Sequence, residues 1–170
     1  DICPSDGEIV LIVMPMNDAL IRNILKIISE VNWPAPVEII FHPSTDVGEF
    51  MQDQSNQFSV TNKTLPDLLA RAQIVVGHCS GALVEAATLG IPVIDIKSSE
   101  EFSHDYMPET GKGILWDQAV GARGITQLVS KFQASLQSHP SRLKEEGAKL
   151  RDAYFSEPTD KLIGKAFELD

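Results

Sequence analysis

Short apolar runs alternate along this chain with stretches whose apolar residues recur every three or four positions. Glu8 to Met14 is rich in Ile and Val and reads as a strand buried on both faces, ended by Pro15. Asn17 or Asp18 then caps a helix to about Asn32, with Leu20, Ile21, Ile24, Leu25, Ile27, Ile28 and Val31 on one broad face. Trp33-Pro34-Ala35-Pro36 is a stiff connector. Val37 to Phe41 is a second strand, Val47 to Gln52 one or two helical turns, and Gln57 to Thr61 a weaker third strand. Thr64 to Ala72 reads as a helix, with Thr64 and Asp67 placed as a capping box and Pro66 in the first turn.

Gln73 to Ile96 is the stretch the rest is arranged around. Ile74 to Val76 is a buried strand, Gly77-His78-Cys79-Ser80-Gly81 a sharp turn, and Ala82 to Leu89 a helix of small residues stopped by Gly90. Val93 to Ile96 is the next strand. Strand, tight turn, helix and strand make a parallel crossover unit. Beyond Ile96 the pattern loosens, and Lys97 to Lys112 is expected to be a long loop or short helix over the site edge. Gly113 to Trp116 is expected as a sixth strand. Helices follow from Ile125 to Gln137, from Pro140 to about Phe155, and from Thr159 to Leu169.

This alternation implies a single α/β domain of three layers, a parallel sheet of about six strands with helices on both faces. Right-handed crossovers give the strand order 3-2-1-4-5-6 and a topological switch between strands one and four, where ligands bind at the carboxyl ends. Three turns converge there: Pro15-Met16-Asn17, His42-Pro43-Ser44, and His78 to Gly81.

The 170 residues suffice for one domain with a sizeable core. The net charge of −10 argues against a nucleic-acid partner but leaves room for a single nucleotide held in a local nest. Two cysteines, Cys3 and Cys79, make neither a disulfide framework nor a metal set and fit a reducing, cytoplasmic compartment. No run is long enough to span a bilayer, and no signal peptide is recognisable. The turn-like start, Cys3 to Gly7, suggests a domain excised from something longer.

Ser80 and Gly81 open a helix whose free N–H groups and dipole suit a phosphate, and Gly81 would let the anion approach without a Cβ in the way. The plainer reading of Ser80 is an N-cap. Glu85, four residues on, shares that helix face and can accept both hydroxyls of a ribose; otherwise it is a favourable acid near a helix N-terminus. His42 and His78 each follow a strand beside the switch and can donate to a phosphate oxygen or carry a proton, although each alone is more often structural. Asn62, Lys63 and Thr64 could border a base, and Lys97, Ser98 and Ser99 a donor's distal group, against ordinary loop polarity. No third ligand is spaced for a metal, so neither metal nor cofactor is expected.

The run from Ala72 to Gly81, with Glu85-Ala86 and Leu89-Gly90-Ile91-Pro92-Val93-Ile94, resembles the donor-nucleotide element of GT-B glycosyltransferases, shared by non-hydrolysing UDP-N-acetylglucosamine 2-epimerases. His42-Pro43-Ser44 resembles the His-Pro element of capsule-polysaccharide, polysialyltransferase and CDP-glycerol glycerophosphotransferase-like groups. The resemblance covers Val37 to Ile96 well and the rest by order of elements. It implies a Rossmann-like domain that binds a nucleotide-activated sugar without a divalent metal. It also implies that Ser80 and Gly81 bind the phosphates, that Glu85 binds the ribose and that His42 contacts phosphate; Ser44 and Cys79 are further donor-binding candidates, and His42 and His78 are the candidates for catalysis. Cys79 departs from the small or hydroxylated residue more common there. The implied protein has a second, N-terminal acceptor domain or a partner subunit, and the full-length protein could associate peripherally with the inner face of the membrane. Glycosyl transfer in surface polysaccharide synthesis is the leading expectation. An epimerase-type domain and a nucleotide-binding module without chemistry stay open beside it.

Overall fold

The computed structural model describes residues 6–51, 58–97 and 107–155. Six parallel strands form one sheet: β1 (Ile9–Val13), β2 (Val37–Ile40), β3 (Ser59–Val60), β4 (Ala72–Gly77), β5 (Val93–Ile96) and β6 (Trp116–Ala119). Their order is β3-β2-β1-β4-β5-β6, as the crossover argument requires. Every residue of β1 and β5 is buried, the burial expected of strands covered on both faces.

Among the described residues, six helices lie between and after the strands: α1 (Asp18–Ser29), α2 (Val47–Met51), α3 (Leu65–Leu69), α4 (Gly81–Thr88), α5 (Gly121–Ser138) and α6 (Pro140–Tyr154). Asn17 caps α1, its side chain accepting from the Leu20 N–H, and Ile21, Ile24, Leu25 and Ile28 form the buried stripe. In α5 the stripe is Ile125, Val129, Phe132 and Leu136. α4 packs on β4, β5 and α6, whereas α5 packs on β5, β6 and α1. The chain runs outward from the switch in both directions, so equal crossover handedness sends α1 and α4 to opposite faces.

Several boundaries differ from the sequence reading: α1 ends at Ser29 rather than near Asn32, and α5 begins at Gly121 rather than Ile125. The third helix stops at Leu69, and Ala72, expected at its end, begins β4 beside Ile9. The sixth strand is Trp116–Ala119, not Gly113 to Trp116. Gly111 and Gly113 both take positive φ, and the Gly111 carbonyl accepts from the Leu115 N–H at 2.7 Å, so this stretch is a tight turn. The strand itself was hidden because Asp117 and Gln118 interrupt its apolar pattern; Asp117 faces α5 and pairs with Lys131 at 3.2 Å. The Thr64 cap is present, with its hydroxyl oxygen accepting from the Asp67 N–H at 3.4 Å and its O–H donating to the Asp67 carboxylate at 2.6 Å. Ser98 to Tyr106, most of the expected site-edge loop, and the Thr159–Leu169 helix lie outside the described residues.

At the amino edge Arg71 gathers Glu38 at 2.8 Å and Glu8 at 3.4 Å. The hydrogen bond to Glu38, opposed in part by burial, holds the guanidinium pKa above its ordinary value. The closest helix contact is between α6 and the end of α4. A Cβ at Gly147 would stand 2.5 Å from the Gly90 nitrogen and 2.9 Å from the Ala87 carbonyl oxygen. These are backbone atoms that cannot step aside. Gly147→Ala is therefore expected to destabilise the domain by about 1–3 kcal/mol, the usual range for overpacking. Urea unfolding checks this; an unchanged midpoint would show that α6 does not pack this tightly.

Candidate functional site

All strands point the same way, so the turns after β1, β2, β4 and β5 share the carboxyl edge of the sheet. β4 ends at Gly77, beside Val13 of β1. A Cβ there would lie 2.8 Å from the Val13 carbonyl oxygen and 3.1 Å from Leu83, so only glycine lets the end of β4 press against both β1 and α4. His78 follows, 3% exposed, with Nδ1 2.7 Å from the Ile96 carbonyl oxygen. A carbonyl can only accept, so Nδ1 carries the proton and the ring braces the end of β4 to the end of β5.

Cys79 turns the chain with φ of 46°, among the described residues the one non-glycine at positive φ. This left-handed geometry costs about 1–2 kcal/mol for an L-residue and is offset by what the turn sets up. Ser80 caps α4: its backbone is extended and its hydroxyl accepts from the Ala82 N–H at 3.3 Å. The N-cap reading of Ser80 is thus met, and the hydroxyl keeps a proton it can still donate. Gly81 is the first helical residue, so its N–H has no intrahelical acceptor. It is exposed, and apart from its chain neighbours and its own helix backbone no atom of the described residues lies within 4 Å of where its Cβ would be. The packing of the described residues does not need glycine at position 81.

Glu85 sits one turn further along the same ridge, exposed, while Leu83, Val84, Ala86, Ala87 and Thr88 are buried. Its carboxylate has no hydrogen-bond or ion-pair partner among the described residues. Ser80, Gly81 and Glu85 therefore do lie together.

His42 leaves the end of β2, exposed, with its Nδ1 2.7 Å from Ser44 Oγ and 3.3 Å from the Ser44 nitrogen. A backbone N–H can only donate, so Nδ1 accepts, and the neutral ring keeps its proton on Nε2, the nitrogen that Ser44 leaves free. Between the ends of β2 and β4 stands β1, so the His42 turn and the Ser80 turn are two strand spacings apart, about 10 Å. No hydrogen bond joins them among the described residues.

The other expected positions are more dispersed. Asn62 is exposed beyond β3, and Thr64 is engaged as the α3 cap. Lys97 donates its backbone N–H to the Ala119 carbonyl at 2.8 Å while its side chain is exposed. Ser98 and Ser99 lie outside the described residues. One edge residue escaped the sequence reading: Asp95, 5% exposed on β5, accepts from Gln118 Nε2 at 3.2 Å. Its signal was an acid inside the apolar run Val93-Ile94-Asp95-Ile96. No cluster of three or more His, Cys, Asp or Glu suited to a metal occurs among the described residues, and no helix there is long and apolar enough to cross a membrane.

This architecture recurs in solved structures. The chain superposes on the wall teichoic acid polymerase TagF soaked with CDPG at TM-score 0.56, with 11% identity, over 98% of this chain and 41% of that one. It superposes on the glycosyltransferase SnogD from Streptomyces nogalater at TM-score 0.54, with 18% identity, over 85% of this chain and 38% of that one. The chain shares the Rossmann-like α/β fold of the matched parts of these structures. It spans about two-fifths of the length of these structures. No family model and no curated protein sequence matches it.

The tautomer of His42 is directly observable. Nitrogen chemical shifts of the neutral ring should show protonated Nε2 and bare Nδ1. In Ser44→Ala the ratio should move several-fold toward protonated Nδ1, as loss of a hydrogen bond worth at most about 1 kcal/mol implies. Equal tautomers in the unaltered protein would refute the assignment.

Proposed function

We propose that this chain is the donor-nucleotide-binding domain of a glycosyltransferase, or a related phospho-polyol transferase, of surface polysaccharide synthesis. One observation carries the proposal. At the topological switch, a strained turn presents the N-terminus of α4 with open space over Gly81 and an unpaired carboxylate at Glu85 on the same ridge. The likeness to TagF and SnogD supports the fold half of this reading.

The donor's phosphates would rest on the Gly81 and Ser80 end of α4, where backbone N–H groups and the helix dipole offset negative charge. Glu85 would accept the ribose hydroxyls. Transfer breaks the bond between the sugar's anomeric carbon and the phosphate oxygen while an acceptor hydroxyl attacks that carbon. For a phospho-polyol donor the attack is on phosphorus instead. In both cases negative charge grows on the departing phosphate. His42, with Nε2–H as donor, stabilises that charge from the β2 side, and the α4 N-terminus does so from the β4 side. The buried His78 acts by holding β4 to β5 rather than by touching the donor. Asn62 and Thr64 on one side and Lys97 on the other flank a line of strand ends about 19 Å long, four strand spacings, which suits a base at one end and the transferred group at the other. The acceptor and its base would come from a second domain or subunit, consistent with the two-fifths of the neighbours' length that this chain spans. Such a protein would work in the cytoplasm, at the inner face of the membrane.

Titration with UDP, CDP and CMP tests the reading; CDPG in the TagF crystals makes cytidine nucleotides an early choice. Glu85→Ala should weaken nucleotide binding by about 1.5–3 kcal/mol, the range for hydrogen bonds to a charged group. Unchanged affinity in a folded variant would remove the ribose role. Absence of binding by any of the three nucleotides would remove the donor-domain role. Coexpression with an upstream segment, followed by an assay of donor consumption, separates a transferase from a binder.

A further inference from the structure

The chain's formal net charge is −10, yet the hollow at the corner between α5 and α6 is lined by three basic side chains and, among the described residues, no acid. Its volume is about 260 Å³. Lys131 comes from α5, His139 from the corner itself and Arg142 from the first turn of α6, over an apolar floor of Ile114 and Leu143. Gly113 forms part of the rim, with nothing within 4 Å of where a Cβ would be.

The cations differ in what they have left to offer. Lys131 is steadied by Asp117 at 3.2 Å and by the ring of Phe132, 5.7 Å away. Its charge is partly offset, but it has further N–H donors. His139 engages Ser138 Oγ through Nδ1 at 2.7 Å, leaving Nε2. The Arg142 guanidinium has no partner among the described residues. Of the acids on the same helix, Glu146 is taken by Lys149 at 2.7 Å, and Glu145 is exposed and does not line the hollow. Ser135 lines the hollow too, but its hydroxyl donates to the Lys131 carbonyl at 3.1 Å.

We propose that this hollow is an anion site for a phosphate monoester. A guanidinium fork matches two phosphate oxygens, and donors arriving from three points of the chain suit a tetrahedral group better than a planar carboxylate. The apolar floor takes the short carbon part of the ester. The site is separate from the one at the carboxyl edge. Gly113 and Ile114 precede β6, and α5, 18 residues long, returns from the far edge over about 27 Å. It would let a phosphorylated molecule bind without competing with a donor nucleotide. In an acidic protein, three clustered cations lower the repulsion that an anion meets.

The test is a titration of the isotope-labelled chain with inorganic phosphate and with glycerol phosphate, ionic strength held constant with sodium chloride and amide shifts followed by NMR. Saturable shifts confined to residues 131–143 and 113–114 are expected. Arg142→Gln should lower the affinity at least tenfold and Lys131→Gln by less, whereas Lys144→Gln, outside the hollow, should leave it unchanged. A parallel arm uses vesicles with and without phosphatidic acid. Arg142-dependent binding to those vesicles alone assigns the phosphate to a lipid headgroup; Arg142-dependent binding of the small esters assigns it to a free ligand. Without Arg142-dependent vesicle binding, linear, unsaturating shifts or equal affinity in Arg142→Gln would overturn the site. None of these outcomes depends on whether nucleotides bind at Gly81.

Discussion

The pairing of β1 with β4 is the constraint on which the molecule rests. These strands are far apart in sequence, yet they lie side by side in parallel, Val10 to Ile74 through Val13 to Gly77. The chain leaves β1 in one direction through β2 and β3 and leaves β4 in the other through β5 and β6. Loops depart to opposite sides at that seam, and a crevice opens at its carboxyl end. Gly77 makes the seam close. Without a Cβ, the end of β4 can approach the Val13 carbonyl and Leu83 together, and the turn that follows is held against the crevice.

The turn itself is costly to make and is secured from both sides. Cys79 adopts a left-handed backbone, His78 is buried and tied to the Ile96 carbonyl, and Ser80 caps the helix. Strain of this kind survives where the surroundings over-determine it. Its result is an exposed helix start with vacant space at Gly81, next to an acid without a partner among the described residues. Structural economy explains the brace and the cap. It does not explain the glycine at 81 or the carboxylate at 85, and the proposed donor site rests on those two residues.

Much of the fold was legible because its signals are local. Buried strands read as apolar runs, Asn17, Thr64 and Ser80 mark helix starts, and crossover handedness then orders the strands. The sixth strand was not legible. Its signal is split between an apolar approach, which folds as a glycine turn, and a polar strand, in which Asp117 is satisfied by Lys131 about three turns into α5. Asp95 was missed for a related reason: an acid in a buried strand is acceptable only once Gln118 lies opposite, and that register is tertiary information. In the candidate site, the grouping of Ser80, Gly81 and Glu85 follows from helical spacing alone. The engagement of His42 with Ser44 and of His78 with Ile96 does not, because it depends on which ring nitrogen meets which backbone group.

The account turns on whether the opening of α4 receives the phosphates of a nucleotide. Backbone amide shifts in the isotope-labelled chain, recorded while a nucleoside diphosphate is added, address this directly. The largest saturable changes should fall on Ser80, Gly81 and Ala82, with smaller ones at Glu85 and at the His42 turn. Saturation with those amides unmoved, and with the changes gathered elsewhere on the molecule, would contradict it.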